Sequence, residues 1–228
     1  PPVRYLMEGG VLRFDTPVTF LVGENGTGKS TLLEAIAVCW GFNPEGGSIH
    51  FRFSTNDTHS ALSGAIHLIK GPLAPRTGYF LRAESFYNLA THLEELDAIP
   101  ACAPPLADAY GGKSLHKQSH GESFLALALN RFGPEGFYLL DEPEVALSSS
   151  RQLTLLARIH ELAGLGCQFL IATHSPILLS LPGAEILELG EKGLARVDYE
   201  ECMPYRVTKN FLDDPRRTLR YLLDQEPQ

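Results

Sequence analysis

The chain has 228 residues, 44% of them apolar, and a formal net charge of −8. That length supports one domain with a substantial core, and the acidic balance argues against non-specific nucleic-acid binding as the main activity, though not against a local basic patch. Four cysteines lie far apart with no Cys-x-x-Cys pair, so neither a zinc site nor a disulfide framework is expected.

In chain order, Val18–Val22 (VTFLV) is a short apolar run leading straight into Gly23, and it reads as a buried strand. Residues Ser30–Trp40 read as a helix, with Leu32, Leu33, Ile36 and Trp40 at three- and four-residue spacing and Gly41 as the stop. Strands are expected near Ile49–Phe53, Ala65–Lys70 and Tyr79–Arg82. They are short and no helix separates them, which predicts an antiparallel side sheet. Ser85–Leu96 is expected to be helical, and Ala98–Gly112, with three prolines and a Gly pair, a loop or surface lobe.

The second half alternates more regularly. Helix is expected over Gly121–Arg131, strand over Phe137–Leu140, helix over Ser149–Ala163, strand over Gln168–Ala172 and a short helix over Ile177–Leu181. Ile186–Leu189 and Ala195–Tyr199 read as a hairpin, and Asn210–Leu223 as a final helix. Strand–helix alternation after position 136 predicts an α/β fold with a mainly parallel core sheet.

The stretch Gly23-Glu24-Asn25-Gly26-Thr27-Gly28-Lys29-Ser30 matches G-x-x-x-x-G-K-[ST] in full, after a strand and before a helix. Backbone N–H groups of Glu24, Asn25, Gly26, Thr27 and Gly28 can turn inward around phosphates, and the helix N-terminus adds partial positive charge. Lys29 can reach the β- and γ-phosphates, the Ser30 hydroxyl can ligate Mg²⁺, and Thr31 is placed to touch the α-phosphate. The plain alternative, a glycine turn with a surface lysine, does not need the whole motif in this context.

The run Phe137-Tyr138-Leu139-Leu140-Asp141-Glu142-Pro143 is an apolar strand ending in two acids. A carboxylate at that edge suits Mg²⁺, so Asp141 is the metal candidate, through water or directly. Glu142 is the candidate general base for water attacking the γ-phosphorus. A solvated Asp-Glu-Pro turn is the simpler reading of those residues taken alone. One strand later, Phe169–Ala172 delivers Thr173 and His174 to the same edge. His174 can donate a hydrogen bond to a γ-phosphate and help orient the water, or it can merely cap the next helix.

These pieces occur in a fixed order: P-loop, a Ser/Gly/Glu turn before a helix, apolar strand–Asp–Glu–Pro, strand–Thr–His. That order resembles the ABC-type P-loop ATPase superfamily, on its soluble SMC/RecF-like side. The stretches VGENGTGKSTLLEAIAV, GFNPEGGS, FLRAESF, QSHGESFLALALNRF, YLLDEPEVALS and IATHSPILL are similar to short stand-alone bacterial AAA-family ATPases. The resemblance covers nearly the whole chain. It implies one ABC-type domain over residues 1–228, with a small helical lobe over 84–120. It also implies that Ser119, Gly121 and Glu122 correspond to the signature motif, which completes the ATP site of a partner subunit. His120 stands where that motif usually has glycine. Ala146-Leu147-Ser148 falls at the D-loop, where Ser148 departs from the usual acid. The family's Q-loop glutamine is missing, and Phe80-Leu81-Arg82-Ala83-Glu84-Ser85 occupies its place. Glu84 or Arg82 is a candidate metal or phosphate contact there, a charged strand exit being the ordinary alternative. Phe14 and Phe42 are adenine-stacking candidates by location only. The guanine-reading Asn-Lys-x-Asp motif is absent, which favours ATP.

The leading expectation is therefore a Mg²⁺-dependent ATPase that forms an ATP-sandwiched homodimer and moves an unidentified protein partner or nucleic acid. Three other readings compete. The nucleotide-binding subunit of a membrane transporter is disfavoured by the missing glutamine and the compact 84–119 segment. A small-molecule kinase would need neither Glu142-Pro143 nor the 119–122 turn. A non-catalytic ATP-gated scaffold would not need Glu142. Arg216, Arg217 and Arg220 share one helical face and form the notable basic cluster, so DNA is a candidate partner, although a solvated helix end explains them equally well. No apolar run approaches the about 20 residues needed to cross a bilayer, and no signal-peptide pattern is present. The chain begins Pro1-Pro2 without Met, which fits a trimmed N-terminus, and a reducing, cytoplasmic setting is expected.

Overall fold

The structure, a computed structural model, describes residues 10–49, 61–83, 120–190 and 193–223. Seven strands form one sheet in the order β2-β3-β4-β5-β1-β6-β7. They are β1 (Val18–Val22), β2 (Gly47–Ser48), β3 (Thr77–Arg82), β4 (Gly136–Asp141), β5 (Gln168–Ala172), β6 (Glu185–Gly190) and β7 (Gly193–Arg196). The run β3-β4-β5-β1-β6 is parallel throughout. Antiparallel pairs occur at the two ends, β2 on β3 and β7 on β6. The helices are α1 (Lys29–Trp40), α2 (His120–Arg131), α3 (Ser149–Gly164), α4 (Pro176–Leu179), α5 (Met203–Asp213) and α6 (Pro215–Leu223).

The central strands read as unbroken apolar runs because both faces of the sheet are covered. The side chains still alternate between two layers. Phe20, Tyr138, Phe169, Val22, Leu140 and Ile171 meet Phe124, Leu127, Leu155 and Ile159 of α2 and α3. Leu21, Phe80, Leu139 and Leu170 meet Leu32, Leu33 and Ile36 of α1 on the opposite face. One polar pin lies in the α2–α3 layer: the Tyr138 hydroxyl donates to Gly133 O and accepts from Gly133 N–H, both at 2.8 Å. Burial first, then the nearby Cys167, pushes that phenol's pKa well above its usual value. Helix α1 stops at Gly41, whose φ of 110° lets its N–H reach back to Ala37 O and Val38 O.

The mainly parallel α/β core is as expected, with three differences of detail. Tyr79–Arg82 does not belong to a separate antiparallel layer. As part of β3 it pairs in parallel with β4 over six positions, because its apolar run is buried on both faces like those of its neighbours. Ala65–Lys70 forms no strand: Ile66 and Leu68 touch the α1-side layer while Ile69 is 85% exposed, with no ladder partner among the described residues. The expected terminal helix is two helices. Asp214 ends α5 outside the helical region (φ −149°, ψ 78°) and Pro215 starts α6, with Asp214 Oδ1 accepting the Arg217 N–H at 3.0 Å. The expected hairpin near the end is present, but its first strand, β6, also extends the parallel sheet along β1. The helix expected over Ser85–Leu96, the Ala98–Gly112 loop, Glu84, Ser119 and most of the Ile49–Phe53 strand lie outside the described residues.

Candidate active site

Because β4, β5 and β1 are adjacent and parallel, the loops that follow them leave the same edge of the sheet. The first of these loops is the P-loop. Gly23, Gly26 and Gly28 have φ of 146°, 80° and 96°, and a Cβ on Gly23 would lie 2.5 Å from Leu189 O. These positions need glycine for backbone reasons before any ligand is considered. Thr27 folds the loop back by bonding Glu24 O through both its N–H and its hydroxyl, at 3.2 and 2.8 Å. Glu24, Asn25 and Gly26 are exposed; Thr27, Gly28, Ser30 and Thr31 are half-buried.

Lys29 is only 4% exposed, and its ammonium donates to Gly23 O at 2.7 Å and Glu24 O at 3.1 Å. Burial lowers its pKa, against a smaller opposing pull from Glu142, Asp141 and Glu144. The lysine is thus a desolvated cation whose ammonium is held by two backbone carbonyls of the loop.

Asp141 is the last residue of β4 and is 5% exposed. Its Oδ1 accepts the Ser30 hydroxyl at 2.9 Å, and its Oδ2 lies 3.5 Å from Arg82 Nε. Two hard oxygen donors side by side suit Mg²⁺, which takes one or two protein oxygens and fills the rest of its octahedron with water and phosphate. No gathering of three or more His, Cys, Asp or Glu side chains competes as a metal site among the described residues. Serine and aspartate therefore fit the ion.

Glu142 follows in the left-handed region (φ 51°, ψ 50°). Proline at position 143 keeps it out of the ordinary helical region, and its N–H is tied to Ala172 O at 2.9 Å. A non-glycine residue so placed carries strain of about 1 kcal/mol or more. The turn aims its carboxylate at His174, whose Nε2 is 3.9 Å away. The structure places these two candidates side by side, and a third acid fixes them. Glu144, one step past Pro143, accepts the backbone N–H of His174 through Oε1. Glu144 Oε2 and His174 Nε2 are shielded from solvent without a hydrogen-bond partner among the described residues. Ser175, next in the loop, donates to Gln152 Oε1 at 2.6 Å, and Gln152 Nε2 donates to Leu147 O at 3.0 Å. The only sequence signal for this clamp was a third acid in Asp-Glu-Pro-Glu.

Gly121, the second residue of α2, lies beneath the turn Pro143–Ala146. A Cβ on Gly121 would stand 2.3 Å from Ala146 O and 3.1 Å from Arg151 Nη1. This glycine is thus required by packing within its own chain. Glu122 pairs with Arg151 at 2.8 Å. Ser119 lies outside the described residues. Of the adenine candidates, Phe42 is excluded: it is 4% exposed and packs on Phe137 in the α1-side core. Phe14 is half-buried against the same layer. Arg82, at the strand exit, has its Nε 3.5 Å from Asp141 Oδ2. Arg216, Arg217 and Arg220 sit on exposed α6. No helix among the described residues is long and apolar enough to cross a membrane.

Two family models match. One, described as "AAA domain", covers residues 3–70; the other, "AAA domain, putative AbiEii toxin, Type IV TA system", covers residues 122–180. No curated protein matches the chain. Among solved structures, the SMC head domain from Thermotoga maritima is 16% identical, with a TM-score of 0.42 over 82% of this chain and 91% of that one. A "putative Cobalt transport ATP-binding protein" is 19% identical, with a TM-score of 0.46 over 83% of this chain and 72% of that one.

Proposed function

We propose that the chain is an ABC/SMC-like P-loop ATPase whose sheet edge binds ATP with Mg²⁺ and hydrolyses it. The carrying observation is the Ser30 Oγ–Asp141 Oδ1 contact of 2.9 Å, which joins the end of the P-loop to the end of β4. Residues 1–228 act in this reading as one ABC-type domain.

The P-loop backbone from Glu24 to Gly28 takes the phosphates, Lys29 exchanges its two carbonyl partners for β- and γ-oxygens, and Thr31 meets the α-phosphate. Ser30 and Asp141 would hold Mg²⁺, which would supply positive charge to the phosphate oxygens. Glu142 accepts a proton from a water whose oxygen attacks the γ-phosphorus; the bond to the β-phosphate oxygen breaks and ADP leaves. His174, kept in place by Glu144, donates to the γ-phosphate. Ser119, Gly121 and Glu122 complete the site of a second copy, so that ATP is sandwiched in a homodimer whose opening moves a protein partner or nucleic acid in the cytoplasm.

Glu142→Gln separates the steps. It should bind ATP, stall hydrolysis and run as a dimer on a sizing column. A monomer at saturating ATP, beside a normally active wild type, contradicts the sandwich. Ser119→Arg should abolish turnover while ATP affinity of the monomer stays unchanged; lost affinity would place that residue in its own chain's pocket.

A further inference from the structure

Four side chains close a ring beside the P-loop. Ser30 and Glu34 lie one turn apart on α1 and so share a face. Ser30 Oγ donates to Asp141 Oδ1 at 2.9 Å. Arg82 Nε lies 3.5 Å from Asp141 Oδ2, and Arg82 Nη1 donates to Glu34 Oε2 at 2.9 Å. The fold enforces the meeting: Arg82 and Asp141 are register partners at the ends of parallel strands β3 and β4. The side chains of Arg82, Glu34 and Asp141 are 23%, 15% and 7% exposed, so solvent screens the charges only partly.

A guanidinium there is at odds with a plain metal site. Asp141 offers the carboxylate that Mg²⁺ would use, yet a permanent cation already leans on its second oxygen. Arginine stays charged at any working pH. Two cations on one buried carboxylate repel each other. Glu34 supplies a second anion for Arg82, bonded to Nη1 at 2.9 Å.

We propose that Arg82 is a resident counter-cation that a divalent metal must displace from Asp141, with Glu34 as the anion that retains it after displacement. This rests on reading Ser30 and Asp141 as the metal pair. In the metal-free protein Arg82 neutralises Asp141 and holds the ends of β3 and β4 together. When the ion arrives, Oδ2 is released and the arginine stays on Glu34, beside the position of the nucleotide phosphates. Metal binding and the Arg82–Asp141 pairing are then linked, and each opposes the other by the same factor.

Mn²⁺ titration followed by electron paramagnetic resonance, on the full nucleotide-free chain, reads this linkage without turnover. Arg82→Ala should bind Mn²⁺ about tenfold more tightly than wild type, within the usual range of such couplings. Glu34→Gln should bind it more weakly, because the arginine then has Asp141 as its sole anion in the ring. The double variant should match Arg82→Ala. Loss of Mn²⁺ binding in Asp141→Asn identifies the site, and circular dichroism checks folding of each variant. Weaker or unchanged Mn²⁺ binding in Arg82→Ala overturns the proposal, as does a Glu34→Gln defect that persists without Arg82. Binding of a fluorescent ADP analogue in EDTA is scored separately: its absence overturns the nucleotide reading and leaves the Mn²⁺ comparison readable.

Discussion

Two helices begin with glycine at this sheet edge, and they use it differently. At the start of α1, Gly23, Gly26 and Gly28 have positive φ, and around Gly26 an added Cβ would meet nothing within 4 Å. At Gly26 the space is open and only the backbone conformation excludes side chains. At the start of α2, Gly121 is outside the positive-φ set, and a Cβ would strike Ala146 O at 2.3 Å. There the backbone is ordinary and the space is filled. An open, strained helix start is a cradle for an anion; a closed one is a joint between elements. The signature-like turn is thus a joint first, and its proposed role toward a second copy's ATP is added to that.

Substitutions sharpen the contrast. The largest effect should come from Lys29→Met, which removes the cation of the open end. Catalytic efficiency should fall by about 100-fold or more, the scale of losing one charge-stabilising donor, while the melting temperature changes little; a large melting loss would make Lys29 a structural strut. Gly121→Ala should cost about 1–3 kcal/mol of stability, as overpacking does, read as a lowered denaturant midpoint. Unchanged stability would mean that the joint yields easily. Gly26→Ala should cost about 1 kcal/mol through its φ alone, and Gly26→Asn less, since Asn tolerates the left-handed region. Equal losses would point to crowding.

The smallest effect is one of pH. Burial lowers the Lys29 pKa below its unfolded value of 10.5. Between the lowered value and 10.5 the unfolded chain binds more protons, so stability of the nucleotide-free protein rises with pH over that alkaline window. Lys29→Met should remove that share of the slope in denaturation curves taken across the window. ATP affinity should move oppositely, falling as the ammonium is lost.

What was legible in the sequence follows the same division. β1, the P-loop, β4 and β5 could be read directly, because apolar runs buried on both faces and a complete phosphate motif leave few alternatives. The placement of β3 was not legible. Its apolar run fits an edge hairpin or a core strand equally well, and only pairing with β4 over six positions decides. Phe42 could have been an adenine platform or core, and packing on Phe137 settles it as core. Glu144 was missed because the clamp joins a side chain to the backbone of His174, thirty residues on. A backbone donor leaves no residue type to find.

The central claim is that Glu142 activates water at a nucleotide held by the P-loop. Its most direct test is phosphate release from ATP, with Mg²⁺ and in EDTA, by wild type and Glu142→Gln at matched ATP occupancy. The account predicts Mg²⁺-dependent release by wild type and a loss of about 10²–10⁴-fold in the variant, the usual worth of a general base, with ATP affinity preserved. Release at wild-type rates by Glu142→Gln would contradict it.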